Sequence, residues 1–158
     1  MVSERAGHLK RAGGMIGAME DNEITRNIID AAVRLHKVLG PGLLESVYEM
    51  ALAKSLLQRS LKVERQVPVG FDFDGIHFDD AFRIDLLVED RIIVELKPVE
   101  LLKPVHFKQI ATYIRLMDKP LGLLLNFGEA VLKDGIHRII NNNQSGPGGN
   151  LPAPDKAS

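Results

Sequence analysis

Three ionisable residues stand where apolar strands would carry none. Arg83-Ile84-Asp85-Leu86-Leu87-Val88 has Asp85 inside an aliphatic run, and Ile92-Ile93-Val94-Glu95-Leu96-Lys97 has Glu95 and Lys97. Both runs are dense enough in branched residues to be central strands covered on each face. A charge in such a place is costly unless it is paired or holds a cation. Side chains two apart on a strand share a face, so Glu95 and Lys97 point together. Two carboxylates and a lysine on one patch support a specific chemistry. The carboxylates hold a hard divalent ion, Mg²⁺ or Mn²⁺, through oxygen. Such an ion polarises a phosphoryl oxygen and acidifies a bound water, and the lysine steadies the charge that grows on the phosphate. A buried ion-pair cluster with no activity would carry the same pattern.

Whether Asp85 joins the other two depends on the turn between the strands. A two-residue turn at Glu89-Asp90 sets Asp85 opposite Val94, with Asp85 and Glu95 on opposite faces. A three-residue turn, Glu89 to Arg91, or one bulge, sets Asp85 opposite Glu95. The apolar pattern favours the second. It gathers Ile84, Leu86 and Val88 with Ile92, Val94 and Leu96 on one face and leaves the three charges on the other.

The elements that must position these residues follow from periodicity. Ile24, Ile28, Ala31 or Ala32, and Leu35 recur at helical spacing after Asn22-Glu23, and Gly40-Pro41-Gly42 stops that helix. A second helix covers about Leu43 to Arg59, with a wide apolar stripe of Leu44, Val47, Ala51, Leu52 and Leu56. Val63, Arg65, Val67 and Val69 alternate as a strand, and Phe71 to Ile76 carries an Asp74-Gly75 hairpin signal. Strands Phe82 to Val88 and Arg91 to Val99 come next. Pro104 then opens a helix to about Met117, and strands Leu121 to Phe127 and Gly135 to Ile140 close the sheet. The order is α-α-β-β-β-β-α-β-β: an α/β fold with a central mixed β-sheet flanked by helices.

At 158 residues, 45% hydrophobic and 26% charged, the chain holds one domain with one real core. Residues 1–21 read as a flexible N-terminal extension, 22–140 as the folded unit, and the Asn-, Gly- and Pro-rich 141–158 as a disordered tail. There is no cysteine, which excludes a disulfide framework, a thiolate metal site and a cysteine nucleophile. No run reaches the roughly 18 apolar residues of a membrane span, and the N-terminus has no signal-peptide core. The expectation is a cytoplasmic protein with no membrane partner and an oligomeric state left open. The net charge of -1 lends no support to an electrostatic grip on nucleic acid. Lys103, Lys108 and Arg115, near one helix, read first as a solvated face. No G-x-S-x-G, phosphate-binding loop or dinucleotide fingerprint occurs.

Asp85, nine residues, then Glu95-Leu96-Lys97 resembles the D…(D/E)XK signature of the PD-(D/E)XK nuclease superfamily. Gly42-Leu43-Leu44-Glu45-Ser46-Val47-Tyr48 looks like the G-x-x-E-x-x-Y pattern of the GxxExxY family, which is grouped with those nucleases. Leu39 to Gly42, the Gln109…Tyr113 pair and Gly122 to Phe127 are similar to the same family, so the resemblance spans the folded unit.

The resemblance implies a restriction-endonuclease-like core and Mg²⁺- or Mn²⁺-dependent hydrolysis of phosphodiester bonds in DNA or RNA. Asp85, Glu95 and Glu45 would be the metal residues, with the Leu96 carbonyl as a further ligand, and Lys97 the catalytic lysine. Gln109 and Tyr113, four apart on a helix, would line the pocket, and Tyr48 would lie beside Glu45. Arg83 competes with Lys97 to neutralise Asp85. His36 and His106 are further candidates, although a lone histidine is more often a packing residue. Each has a plainer reading: Glu45 suits a helix N-terminus in any case, Tyr48 suits a core stripe, and Gln109 and Tyr113 suit a sheet edge. The alternative function is a non-catalytic module on the same fold that binds nucleic acid or protein.

Overall fold

A computed structural model describes residues 19–142. Most of the expected extension (1–18) and tail (143–158) lies outside the described residues, while Asp21 is already helical. The elements are α1 (Asp21–Leu39), α2 (Glu45–Gln58), β1 (Val63–Phe73), β2 (Ile76–Val88), β3 (Ile92–Lys97), α3 (Pro104–Leu116), β4 (Leu121–Asn126), a 3₁₀ turn (Leu132–Gly135) and β5 (Ile136–Ile140).

Asp21 and Glu23 in the first turn of α1 and His36 and Lys37 in its last complement the helix dipole. Gly40, at φ 66°, caps the helix through its N–H to the His36 carbonyl, and Gly42 follows at φ 104°. Both values suit glycine and bulky side chains poorly, so this turn brings α2 back beside α1. Pro104 begins α3, where its missing N–H costs nothing.

The five strands form one sheet in the order β1-β2-β3-β4-β5. All neighbours are antiparallel except β3 and β4, which run parallel with α3 as their crossover. α1 and α2 pack on one face through Ile24, Ile28, Tyr48, Leu52 and Leu56, against Leu86, Val88, Val94, Leu96, Leu123 and Leu125. α3 covers the other face with Ile110 and Ile114 against Ile84, Leu87, Ile93 and Leu124. Every residue of β4 is buried, as a strand covered on both sides requires.

The expected count of four strands before α3 becomes three. The segments flanking Asp74-Gly75 are the far ends of β1 and β2, which run past the sheet as a two-stranded arm. Gly70 shifts the register there. A Cβ on it would meet the Phe78 carbonyl oxygen at 2.4 Å, so only glycine lets the strands close. Phe71 stacks on Phe78 on one side of the arm, and His77 bridges Asp72 and Asp79 on the other.

Candidate active site

The turn between β2 and β3 has the three-residue form. Val88 pairs with Ile92, Leu87 with Ile93 and Leu86 with Val94. Glu89 and Asp90 take left-handed backbone to make it. Beyond Leu86 the regular pairing of β2 with β3 stops, and carboxylates replace backbone partners. The Asp85 N–H donates to Glu95 Oε1 at 3.1 Å, and the Leu96 N–H donates to Asp85 Oδ2 at 2.9 Å. Each acid therefore satisfies a backbone donor of the other strand. Both are 6% exposed.

The break also turns the strands over. Ile84 was expected on the face of Leu86 and Val88, but it packs with Leu87 in the core under α3. Across the ladder β1 does the same, with Val63 in the α1–α2 core and Val67 under α3. The switch falls where Arg65 pairs with Leu86 and Val67 with Ile84. Gln66, between them, has φ 51°, unusual for a residue with a side chain. Alternation assumes an unbroken pleat, and the left-handed residue breaks it.

α2 supplies two acids to the same place. Glu45, its first residue, is half-buried, and its charge acts on Asp85. Glu49, one turn on, is 3% exposed. Arg65 Nε donates to Glu49 Oε1 at 3.2 Å, and Gln66 Nε2 donates to Glu49 Oε2 at 2.6 Å. The same Gln66 amide reaches Asp85 Oδ1 at a longer 3.5 Å. Lys97 ends β3, half-buried, and its charge acts on both Asp85 and Glu95.

So much negative charge in a dry place resists ionisation. Burial pushes the Asp85 carboxyl up to about 6, with the Glu45 charge adding to it and the Leu96 N–H pulling the other way. Burial, then the Asp85 charge, pushes Glu95 up to about 8. Lys97 offsets both only in part.

The protein-family comparison agrees with the geometry. A model of the PD-(D/E)XK nuclease superfamily matches residues 22–139. The chain belongs to that superfamily. No curated protein matches it. A solved structure, the crystal structure of SSO0001, aligns with 89% of this chain and 78% of its own at 18% identity, with a TM-score of 0.44. So distant a likeness carries no argument.

In this member of the PD-(D/E)XK superfamily, the Asp85 and Glu95 carboxylates each bond to the other strand's backbone, and the charges of Lys97 and Glu45 act on them. The remaining candidates divide. Tyr113 is half-buried, stacks on Phe82 at 4.2 Å, and has its hydroxyl pushed up by burial and by the charges of Glu95 and Asp85. It borders the acids. Gln109, on the same helix, is exposed. Arg83 pairs with Asp80 at 3.3 Å, so Lys97 is the cation beside Asp85.

Tyr48 faces away from the acids. Its hydroxyl donates to the Gly40 carbonyl at 2.6 Å and accepts from the Leu43 N–H at 3.1 Å, while its ring stacks on Phe127. It fastens the turn that aims α2. His36 is a packing residue, its Nε2 3.2 Å from the Phe127 carbonyl oxygen. His106 accepts the Lys103 N–H at 3.0 Å to cap α3. Burial, then the charges of Lys97 and Lys103, lowers its pKa.

Two residues escaped the sequence reading. Glu49 lies one turn from Glu45 on the stripe of Tyr48, Leu52 and Leu56, a position that a solvent-facing acid would not occupy. Gln66 looked like an ordinary outward strand residue, and nothing in its neighbours announces φ 51°. No helix among the described residues is long and apolar enough to cross a membrane.

Proposed function

We propose that the chain is a Mg²⁺- or Mn²⁺-dependent nuclease of the GxxExxY group that hydrolyses phosphodiester bonds in DNA or RNA. The observation that carries this reading is the pair of bonds across two adjoining strands, Glu95 Oε1 accepting from the Asp85 N–H and Asp85 Oδ2 from the Leu96 N–H, with Lys97 two residues beyond Glu95 and the Glu45 charge acting on Asp85 from α2.

The donor chemistry fits a hard divalent ion. Asp85 and Glu95 each use one oxygen on a backbone N–H, which fixes the carboxyl plane and leaves the second oxygen for a cation. Among the described residues no three acidic or histidine side chains close into a finished ligand cluster. A divalent charge would offset the burial and the like-charge repulsion that raise the Asp85 and Glu95 pKa values. Asp85 and Glu95 would hold the ion with the Leu96 carbonyl, and Glu45 would lie beside it. When bound, the ion supplies Lewis acidity and lowers the pKa of a coordinated water. Lys97 steadies the phosphate charge that develops as the bond breaks. Tyr113 would border the ion from α3.

The test is incubation of wild-type, Lys97→Ala and Asp85→Asn protein with single- and double-stranded DNA and RNA in Mg²⁺ or Mn²⁺. Cleavage by wild type alone is the expected result. Equal cleavage by all three proteins would remove the support for the reading. Nucleic-acid binding without cleavage would indicate the non-catalytic module instead.

A further inference from the structure

Resting on that reading, we infer that Gln66, anchored by Glu49, is the positioning residue for Asp85. Asp85 uses Oδ2 on the Leu96 N–H, so Oδ1 is the oxygen left to face a cation. From β1, the Gln66 amide reaches that oxygen at 3.5 Å. The amide has its own firm partner, Glu49 Oε2 at 2.6 Å, and Arg65 holds the other oxygen of Glu49 at 3.2 Å. Arg65, Glu49 and Gln66 therefore form a short chain of bonds ending at Asp85.

The backbone supports this assignment. Gln66 holds φ 51° at the point where both strands turn over, a conformation that disfavours side chains other than glycine, asparagine and aspartate. Non-glycine residues persist in such conformations where the surroundings over-determine them, and these places cluster at functional sites. Glycine would make the kink at less strain, and glutamine adds to it an amide long enough to reach α2 and Asp85. Partners behind a metal ligand typically govern affinity by 10- to 100-fold.

The kink and the amide can be separated. Gln66→Gly keeps the left-handed backbone and removes the amide, while Gln66→Asn keeps a tolerated backbone with an amide too short to reach Glu49. Calorimetric titration with Mn²⁺, alongside thermal melting without metal, compares both with wild type and with Asp85→Asn. The expected result is Mn²⁺ affinity about ten-fold weaker in both Gln66 variants, with cooperative melting retained by both at a temperature lowered by the loss of the Gln66 donor to buried Glu49. Unchanged affinity in both would overturn the positioning role and leave the nuclease reading standing. Absence of Mn²⁺ binding by wild type would overturn both.

Discussion

Replacing Asp85 by asparagine should make the metal-free protein more stable at alkaline pH while abolishing the proposed nuclease activity. The reason lies in the cost of keeping two acids ionised in a dry gap. A carboxyl whose folded pKa stands above its unfolded value contributes nothing while both states are protonated. Its cost accumulates as pH rises from the unfolded value to the folded one and is constant above it. For Asp85 that interval runs from 3.8 to about 6. At about 1.4 kcal/mol per pH unit, this comes to roughly 3 kcal/mol at pH 8 and under about 1 kcal/mol near pH 4. Asparagine keeps an oxygen for the Leu96 N–H but as a weaker acceptor, which returns about 1 kcal/mol. The net gain is about 1–2 kcal/mol, or a melting temperature higher by several degrees for a domain of this size. Thermal melts of wild type and Asp85→Asn at pH 4 and pH 8, with chelator present, make the comparison. An offset in favour of asparagine at pH 8 that fades at pH 4 is the expected outcome. A variant that melts lower than wild type at pH 8, or by the same margin at both pH values, would refute the reasoning. On the proposed function, added Mn²⁺ should reverse the order, since only wild type would keep the proposed ligand set.

Alanine at the same position should behave in the opposite way. Asp85→Ala leaves the buried Leu96 N–H without its acceptor and should melt below Asp85→Asn by the equivalent of about 1–3 kcal/mol. Tyr48→Phe should cost about 1–3 kcal/mol, because the Gly40 carbonyl and the Leu43 N–H lose their partner together; hydrogen exchange at Leu43 should accelerate with it. On the arm, the Asp72 carboxylate and then Asp79 raise the pKa of His77. A raised histidine stabilises below its unfolded pKa and loses that contribution as pH rises through the folded one. Amides of the arm should therefore exchange faster, beyond the intrinsic rate change, above the His77 midpoint measured by NMR. An arm that tightens across that range would contradict the assignment.

The site was legible in sequence where it depends on the composition of strands. Asp85, Glu95 and Lys97 stand out because aliphatic neighbours leave them no ordinary reason to be there, and the parity of those neighbours selects the three-residue turn. The same parity then misplaced Ile84, because it cannot see a residue that inverts the strand. Gln66 is such a residue, and its φ is set by what α2 and β2 offer its side chain rather than by its own neighbours in the chain. Glu49 was visible in principle from helical spacing, since it shares the buried stripe of Leu52 and Leu56. Tyr48 shows the reverse: an aromatic hydroxyl beside an acid suggested chemistry, and it turns out to hold a loop. The merging of two expected strands into the arm has a similar origin, for a turn signal fixes where the chain reverses but not how long the two limbs stay paired.

The arm also offers a practical handle. From Asp85 to Gly75 the chain spans ten residues of β2 and the turn, about 30 Å if extended. Asp74 and Gly75 sit at the tip with both neighbours exposed. A fluorophore, an epitope or an inserted peptide at that tip would be remote from the buried acids and borne on surface backbone, the kind of location where chains accept additions. The protein can thus carry a reporter of its own encounters without disturbing the residues being tested.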